Sequence, residues 1–199
     1  MSLLVESIKI LNGRICNLDA HQARFDRSRR DYFGSTDRIS LREKIRQQGV
    51  PASGLFKCRV VYQLEVESVA FQPYQYPDIR SLAIVQDPDI TYDDKWVDRP
   101  ALDVLFRQKE PADEIIIVKK GLVTDAFYYN LVFEKKGQFW TPDTPLLMGT
   151  KRKQLLKKGK IFTARISEKD IYTFEKIHLI NAMTDLGRLV INIADVING

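Results

Sequence analysis

The sequence predicts an α+β fold in two lobes: a small N-terminal α+β lobe over residues 1–75 and a C-terminal barrel-like lobe over 80–199. Three observations predict it. The first half mixes valine- and aromatic-rich strand segments with two helices whose caps can be read. Residues 73–79 (PYQYPDI) hold two prolines and little periodicity, as a linker does. The second half is mostly strand segments with short helices between them, the pattern of strands wrapped into a barrel-like core with peripheral helices.

Taken in order, residues 4–11 (LVESIKIL) predict a strand, and Asn12-Gly13 a hairpin turn. Asp19 is placed to cap a helix over 20–32, and Gly34 to end it. Ser40 with Glu43 forms a capping-box pattern before a second helix that stops at Gly49. Residues 56–65 and 67–73 read as paired strands. A strand at 81–86 follows the linker, then an acidic turn at Asp87-Pro88-Asp89. Pro100 can open a helix over 100–109, because its missing N–H falls among the unpaired donors of a first turn. Strands are predicted at 114–119, 129–135 and 138–141, and a helix over 150–158 ending at Gly159. Ser167 with Asp170 makes a second capping pattern, and 177–182 and 188–193 are the last strands.

Bulk properties exclude several classes. No apolar run approaches the roughly 20 residues that span a bilayer. No signal-peptide pattern is read, so a cytoplasmic protein with no membrane partner is expected. Cys16 and Cys58 are too few for a disulfide framework and are expected as free thiols. With His21 and His178 as the histidines, no metal site is expected. The net charge of +5 is largely local, since residues 151–160 (KRKQLLKKGK) carry six basic residues and no acid. No aromatic residue interleaves with them, so the segment reads as a solvated helix face and no nucleic-acid partner is expected.

The stretch from Lys120 to Phe133 is the most informative for chemistry. An apolar strand, Ile115 to Val118, runs into the Gly121 turn; Asp125 and Asn130 follow on the lip of a second strand. Such a lip presents side chains to a ligand from a fixed backbone. Gly149 precedes a helix whose first N–H groups, from Thr150 and Lys151, could hold a phosphate, and glycine would allow close approach. Arg24, with a planar guanidinium, is a second candidate anion ligand, although it stands among Arg27, Arg29 and Arg30. Lys95 sits between Asp94 and Trp96, where partial burial would lower its pKa, and a salt bridge to a flanking aspartate is the plainer alternative.

Read together in order, these segments resemble the class IV (fold type IV) aminotransferases, which use pyridoxal 5′-phosphate. His21-Gln22-Ala23-Arg24 resembles that family's H-x-x-R, and Lys95 with Arg99 its K-x-x-x-R. Asp113-Glu114 with the strand after it, Gly121 to Asp125, and Asn130-Leu131-Val132-Phe133 resemble its D-E, G-x-[VI]-[ST]-E and N-[LI]-F segments. Thr141-Pro142 and Leu147 to Arg152 resemble its T-P and L-x-G-I-x-R, and Asn181-Ala182-Met183 the late strand of the aminodeoxychorismate lyase branch. The resemblance implies a two-lobed D-amino-acid aminotransferase-like architecture and a homodimer with its site between the lobes.

It also implies roles. Lys95 carries the Schiff-base link to the cofactor and shuttles a proton; Asp125 faces the pyridine nitrogen. Arg24, Gly149, Thr150, Lys151 and Met183 hold the phosphate, and Ser7 offers a hydroxyl for proton transfer. The chain departs from the family in having aspartate at 125 where glutamate is usual, and lysine at 151 where a hydroxyl residue is usual. Of the G-x-F-E-T motif only Glu6-Ser7 is present. The implied activity is that of a 4-amino-4-deoxychorismate lyase of folate synthesis, acting on an amino-cyclohexadiene carboxylate. A branched-chain or D-amino-acid transaminase is the alternative, with substrate choice near Arg59, Tyr62, Tyr128 and Tyr129 unless those residues fill the core. A non-enzymatic relic of the fold is the third reading, motivated by the basic 151–160 segment.

Overall fold

Strand β1 (Leu4–Leu11) turns Leu4, Glu6, Ile8 and Ile10 to one face and Val5, Ser7 and Lys9 to the other, as the two-residue period of a strand requires. Its partners are β2 (Arg14–Ile15), β3 (Leu55–Tyr62) and β4 (Val66–Pro73), in the antiparallel order β2-β1-β3-β4. The Asn12-Gly13 turn joins β1 to β2 with both residues at positive φ, 47° and 76°, the geometry that lets a two-residue hairpin follow the strand twist. Helices α1 (Leu18–Phe33) and α2 (Leu41–Gln47) cover the Leu4 face. Leu18, Phe25, Leu41 and Ile45 from the helices meet Leu4, Ile8, Ile10, Val60 and Tyr62 from the sheet in one apolar cluster.

The helix ends show which local signals held. Gly34 ends α1 at φ 66°, and the Ser40 side chain accepts from the Glu43 N–H at 3.3 Å to open α2. Asp19 is not the cap of α1. The capping position is Asn17, in the left-handed region at φ 50°, and Asp19 stands inside the first turn, where its charge complements the helix dipole.

This computed structural model describes residues 3–198; positions 1, 2 and 199 of the expected lobes lie outside the described residues. The chain divides into one unit of Met1–Tyr76 with Asp94–Asp98, and another of Pro77–Asp93 with Arg99–Gly199. The segment Asp94–Asp98 falls within the expected C-terminal range but belongs to the first unit. Its backbone explains why: the Val5 N–H donates to the Lys95 carbonyl at 2.9 Å and the Val97 N–H to the Leu3 carbonyl at 2.8 Å, extending the edge of β1.

The second unit holds two sheets. Strands β5 (Leu82–Gln86), β6 (Glu114–Lys119) and β7 (Leu122–Val123) form one with the C-terminal β13 (Val196–Asn198), in the order β13-β5-β6-β7. Strands β8 (Asn130–Lys135), β9 (Gln138–Pro142), β10 (Phe162–Ala164), β11 (Lys176–Ile180) and β12 (Val190–Asn192) form the other, in the order β10-β9-β8-β11-β12. Leu82, Ile84, Ile116 and Val118 from the first sheet pack against Leu131, Phe133, Ile177 and Leu179 from the second. The expected barrel-like core thus takes the form of two sheets around shared apolar residues. Helix α3 (Pro100–Phe106) opens on its proline, and α4 (Thr150–Lys157) begins after Gly149 and stops before Gly159, at φ 62°.

Candidate functional site

In the first unit, Glu6, His21 and Arg24 form a buried cluster. Nε and Nη2 of Arg24 donate to the two Glu6 oxygens at 2.7 Å each, and His21 Nδ1 lies 2.6 Å from Glu6 Oε2. Burial opposes a charged Glu6, but the charge and hydrogen bonds of Arg24, aided by His21, outweigh it and hold the carboxyl at about 2. Burial also lowers the His21 pKa against the pull of Glu6, so a neutral ring donates its Nδ1–H. The side-on edge of Arg24, Nε–H with one Nη2–H, is committed to Glu6, which leaves the end-on edge, Nη1 with the second Nη2–H, for an external anion.

Lys95 belongs to the same unit, half-buried, and its charge contributes to keeping His21 neutral. Asp94 fixes its backbone. The Asp94 carboxylate accepts from Arg27 Nη2 and Ser28 Oγ at 3.0 Å each, and from the Lys95 N–H at 3.1 Å. Trp96 packs edge-on against Tyr32 with ring centroids 4.7 Å apart. The segment around Lys95 is therefore held by β1 on one side and α1 on the other. Ser7 lies on the face of β1 opposite Glu6, paired with Arg59 of β3. Tyr62 is core rather than pocket wall: it is fully buried, 4.5 Å from the Phe25 ring.

In the second unit, Asp125 follows β7 and bridges to Asn130. Its Oδ1 accepts from Asn130 Nδ2 at 2.7 Å and its Oδ2 from the Leu147 N–H at 2.8 Å. Burial raises the Asp125 carboxyl to about 6, against these donors and the charge of Arg152, which favour the ionised form. Asn130 Nδ2 also donates to the Leu147 carbonyl at 2.9 Å, and a Cβ at Gly149 would collide with Asn130 Oδ1. Gly149 has an ordinary φ of −62°, so close approach, not backbone freedom, demands glycine there. The group approaching it is Asn130, where the sequence suggested a ligand.

The start of α4 has no side-chain cap. Lys151 Nζ is 2.5 Å from Asp185 Oδ1, so its charge is paired within the unit. The Met183 N–H is likewise engaged, by Asn181 Oδ1 at 2.9 Å, which also accepts from the Thr184 N–H at 2.9 Å. Thr184 Oγ1 is buried and has no hydrogen-bond partner among the described residues. An uncapped helix start, with an orphaned hydroxyl in the turn that Lys151 clasps through Asp185, fits the phosphate group of a cofactor. Thr184 carried no sequence signal of its own beyond following Asn181-Ala182-Met183.

Further motif residues act as props. Arg152, buried, donates Nε to Thr141 Oγ1 at 3.2 Å and Nη2 to the Pro142 carbonyl at 2.8 Å, tying α4 to the end of β9. Glu114 Oε1 accepts from the Ile115 N–H at 2.9 Å and the Phe127 N–H at 3.2 Å, and burial raises its carboxyl to about 7. Arg99 lies over the rings of Phe127 and Tyr128, 4.0 and 4.4 Å from their centroids, and donates to the Phe127 carbonyl at 3.2 Å. The loop after Asp125 is thus clamped from both sides. Of its tyrosines, Tyr128 is 56% exposed while Tyr129 is buried in the core. Among the described residues no group of histidine, cysteine or acid side chains could hold a metal ion, and no helix is long and apolar enough to cross a membrane.

A family profile for class IV aminotransferases matches residues 3–190. An uncharacterized protein of Haemophilus influenzae is 40% identical over 185 residues, covering 92% of this chain and 98% of that protein. The crystal structure of a candidate 4-amino-4-deoxychorismate lyase from Haemophilus somnus is 35% identical and superposes with a TM-score of 0.85, over 94% of this chain and 98% of that one. A candidate amino-acid aminotransferase from Mesorhizobium loti shares the fold at 18% identity, with a TM-score of 0.81 over 99% of this chain and 100% of that one.

Proposed function

Since the chain belongs to the class IV aminotransferase family and is an enzyme of that pyridoxal-phosphate-dependent group, we propose that it is a 4-amino-4-deoxychorismate lyase, forming 4-aminobenzoate and pyruvate. The observation that carries the reading is the likeness, over nearly the whole of both chains, to the candidate lyase of Haemophilus somnus. The same reading carries a homodimer and a cytoplasmic role in folate synthesis.

Bound pyridoxal phosphate supplies an electron sink for the bond-breaking carbon. The chain's own groups do the rest. The Lys95 amine attaches the cofactor and moves the proton, from a backbone that Asp94 and β1 keep in place. Asp125 serves the pyridine nitrogen. A carboxyl at about 6 ionises readily beside a positive partner, so the shorter aspartate can fill the role usually given to glutamate. Arg24 through its end-on edge, the first N–H groups of α4 at Thr150 and Lys151, and the Thr184 hydroxyl hold the phosphate. Gly149 leaves room for Asn130, which keeps Asp125 and Leu147 in register. Ser7 delivers a proton to the departing enolpyruvate.

Incubation with 4-amino-4-deoxychorismate and no keto acid should release pyruvate and 4-aminobenzoate in equal amounts. A strict requirement for a keto acid acceptor would overturn the lyase reading in favour of a transaminase.

A further inference from the structure

A groove in the first unit is lined by none of the residues given a functional role above. It holds about 480 Å³ and is lined by Gly13, Arg14, Ile15, Arg42, Arg46 and Val50. Arg14 comes from β2, at the edge of the sheet. Arg42 and Arg46 come from one face of α2, a helical turn apart. Ile15 and Val50 pack on the apolar cluster of the unit and form a fixed floor.

Three arginines line one concavity, where like charges repel, and no acidic residue is among the lining residues. Among the described residues none of the three makes an ion pair or a side-chain hydrogen bond. The buried arginines, by contrast, are matched: Arg24 by Glu6, Arg29 by Asp37, and Arg152 by Thr141 and the Pro142 carbonyl. A like-charge pair one turn apart on an exposed helix costs a few tenths of a kcal/mol and is normally relieved by an acid. Here the relief is missing, while the groove has the volume of a small organic ligand. Guanidinium groups favour planar, bidentate binding of phosphate and carboxylate oxygens, and a cleft lined by one sign of charge concentrates the field.

We propose that this groove binds a small organic molecule bearing at least two phosphate or carboxylate groups, held by Arg14, Arg42 and Arg46, with its apolar part on Ile15 and Val50. The site contains none of the residues that the proposed lyase chemistry uses. Its small outline favours a compact polyanion over a nucleic-acid strand, which would need a longer track of charge.

The test is calorimetric titration of the full-length protein, preincubated with pyridoxal phosphate, with inorganic pyrophosphate and separately with citrate. Wild type should bind at least one of the two saturably, one per chain, and more weakly at higher salt. Pyrophosphate alone would mark a phosphate ester, citrate alone a polycarboxylate, and either supports the site. Arg42→Gln with Arg46→Gln should weaken that binding about tenfold or more, without lowering Tm, because glutamine suits a helix and the repulsion is removed. Lys153→Gln with Lys157→Gln, on the exposed face of α4, should leave it unchanged. Absence of saturable binding, retention of binding in the arginine variant, or an equal loss in the lysine variant would overturn the proposal.

Discussion

Replacing Glu114 with glutamine should stabilise the protein, and more so at high pH. Glu114 is 2% exposed, and its carboxyl is raised from 4.5 to about 7. An acid with a raised folded-state pKa binds its proton more tightly when folded. Its contribution is therefore favourable at low pH and is lost as pH rises from the unfolded value through the folded one. At 1.36 kcal/mol per pH unit, the interval from 4.5 to about 7 is worth about 3 kcal/mol. The glutamine amide would keep an oxygen to accept from the Ile115 and Phe127 N–H groups and would never ionise. Urea unfolding of both proteins from pH 4 to pH 8.5 reads the difference directly. The stability of Glu114→Gln minus that of wild type should grow by about 3 kcal/mol between pH 4.5 and pH 8. A difference independent of pH would refute the reasoning. So would one that shrinks as pH rises, because the ionised carboxylate would then be gaining more from Arg99 than burial takes away.

Two further outcomes follow from the packing. Glu6 has the opposite sign: its folded value of about 2 lies below the ordinary 4.5, so its stabilisation is complete above 4.5 and is lost as pH falls towards 2. Glu6→Gln should cost about 3–5 kcal/mol in urea unfolding at pH 7, because Arg24 stays buried without its countercharge; a cost below about 1 kcal/mol would contradict the pairing. Gly149→Ala should cost about 1–3 kcal/mol through collision with Asn130. Adding Asn130→Ala to it should cost less than the same change in wild type, and additive costs in that double-mutant cycle would show that the two do not touch.

Much of the fold could be read locally. The Asn12-Gly13 turn, the Gly34 and Gly159 stops, and the caps at Ser40 and Ser167 depend on residues a few positions apart, and each is where the spacing predicts it. Asp19 failed as a cap because Asn17 took the left-handed entry two residues earlier, and both residue types suit a helix start. Strands β7, β10 and β13 are two or three residues long, too short for a period-2 pattern to register. The candidate site was legible as a set of motifs, but not as a set of partnerships. Arg24 and Glu6 lie 18 residues apart, Asn130 and Leu147 17 apart, and Arg27 and Asp94 67 apart; each link exists only once the strands and helices have docked. This is why Asn130, Glu114 and Thr184 gained weight in the structure, while Tyr62 and Tyr129 proved to be core.

The central claim is that Lys95 holds pyridoxal phosphate covalently. Purified protein mixed with the cofactor and reduced with borohydride should carry one added phosphopyridoxyl group, mapped by peptide mass spectrometry to Lys95, and Lys95→Ala should lose both the label and the visible absorbance. A label on another lysine, or a folded wild-type protein that takes up no cofactor, would contradict the account.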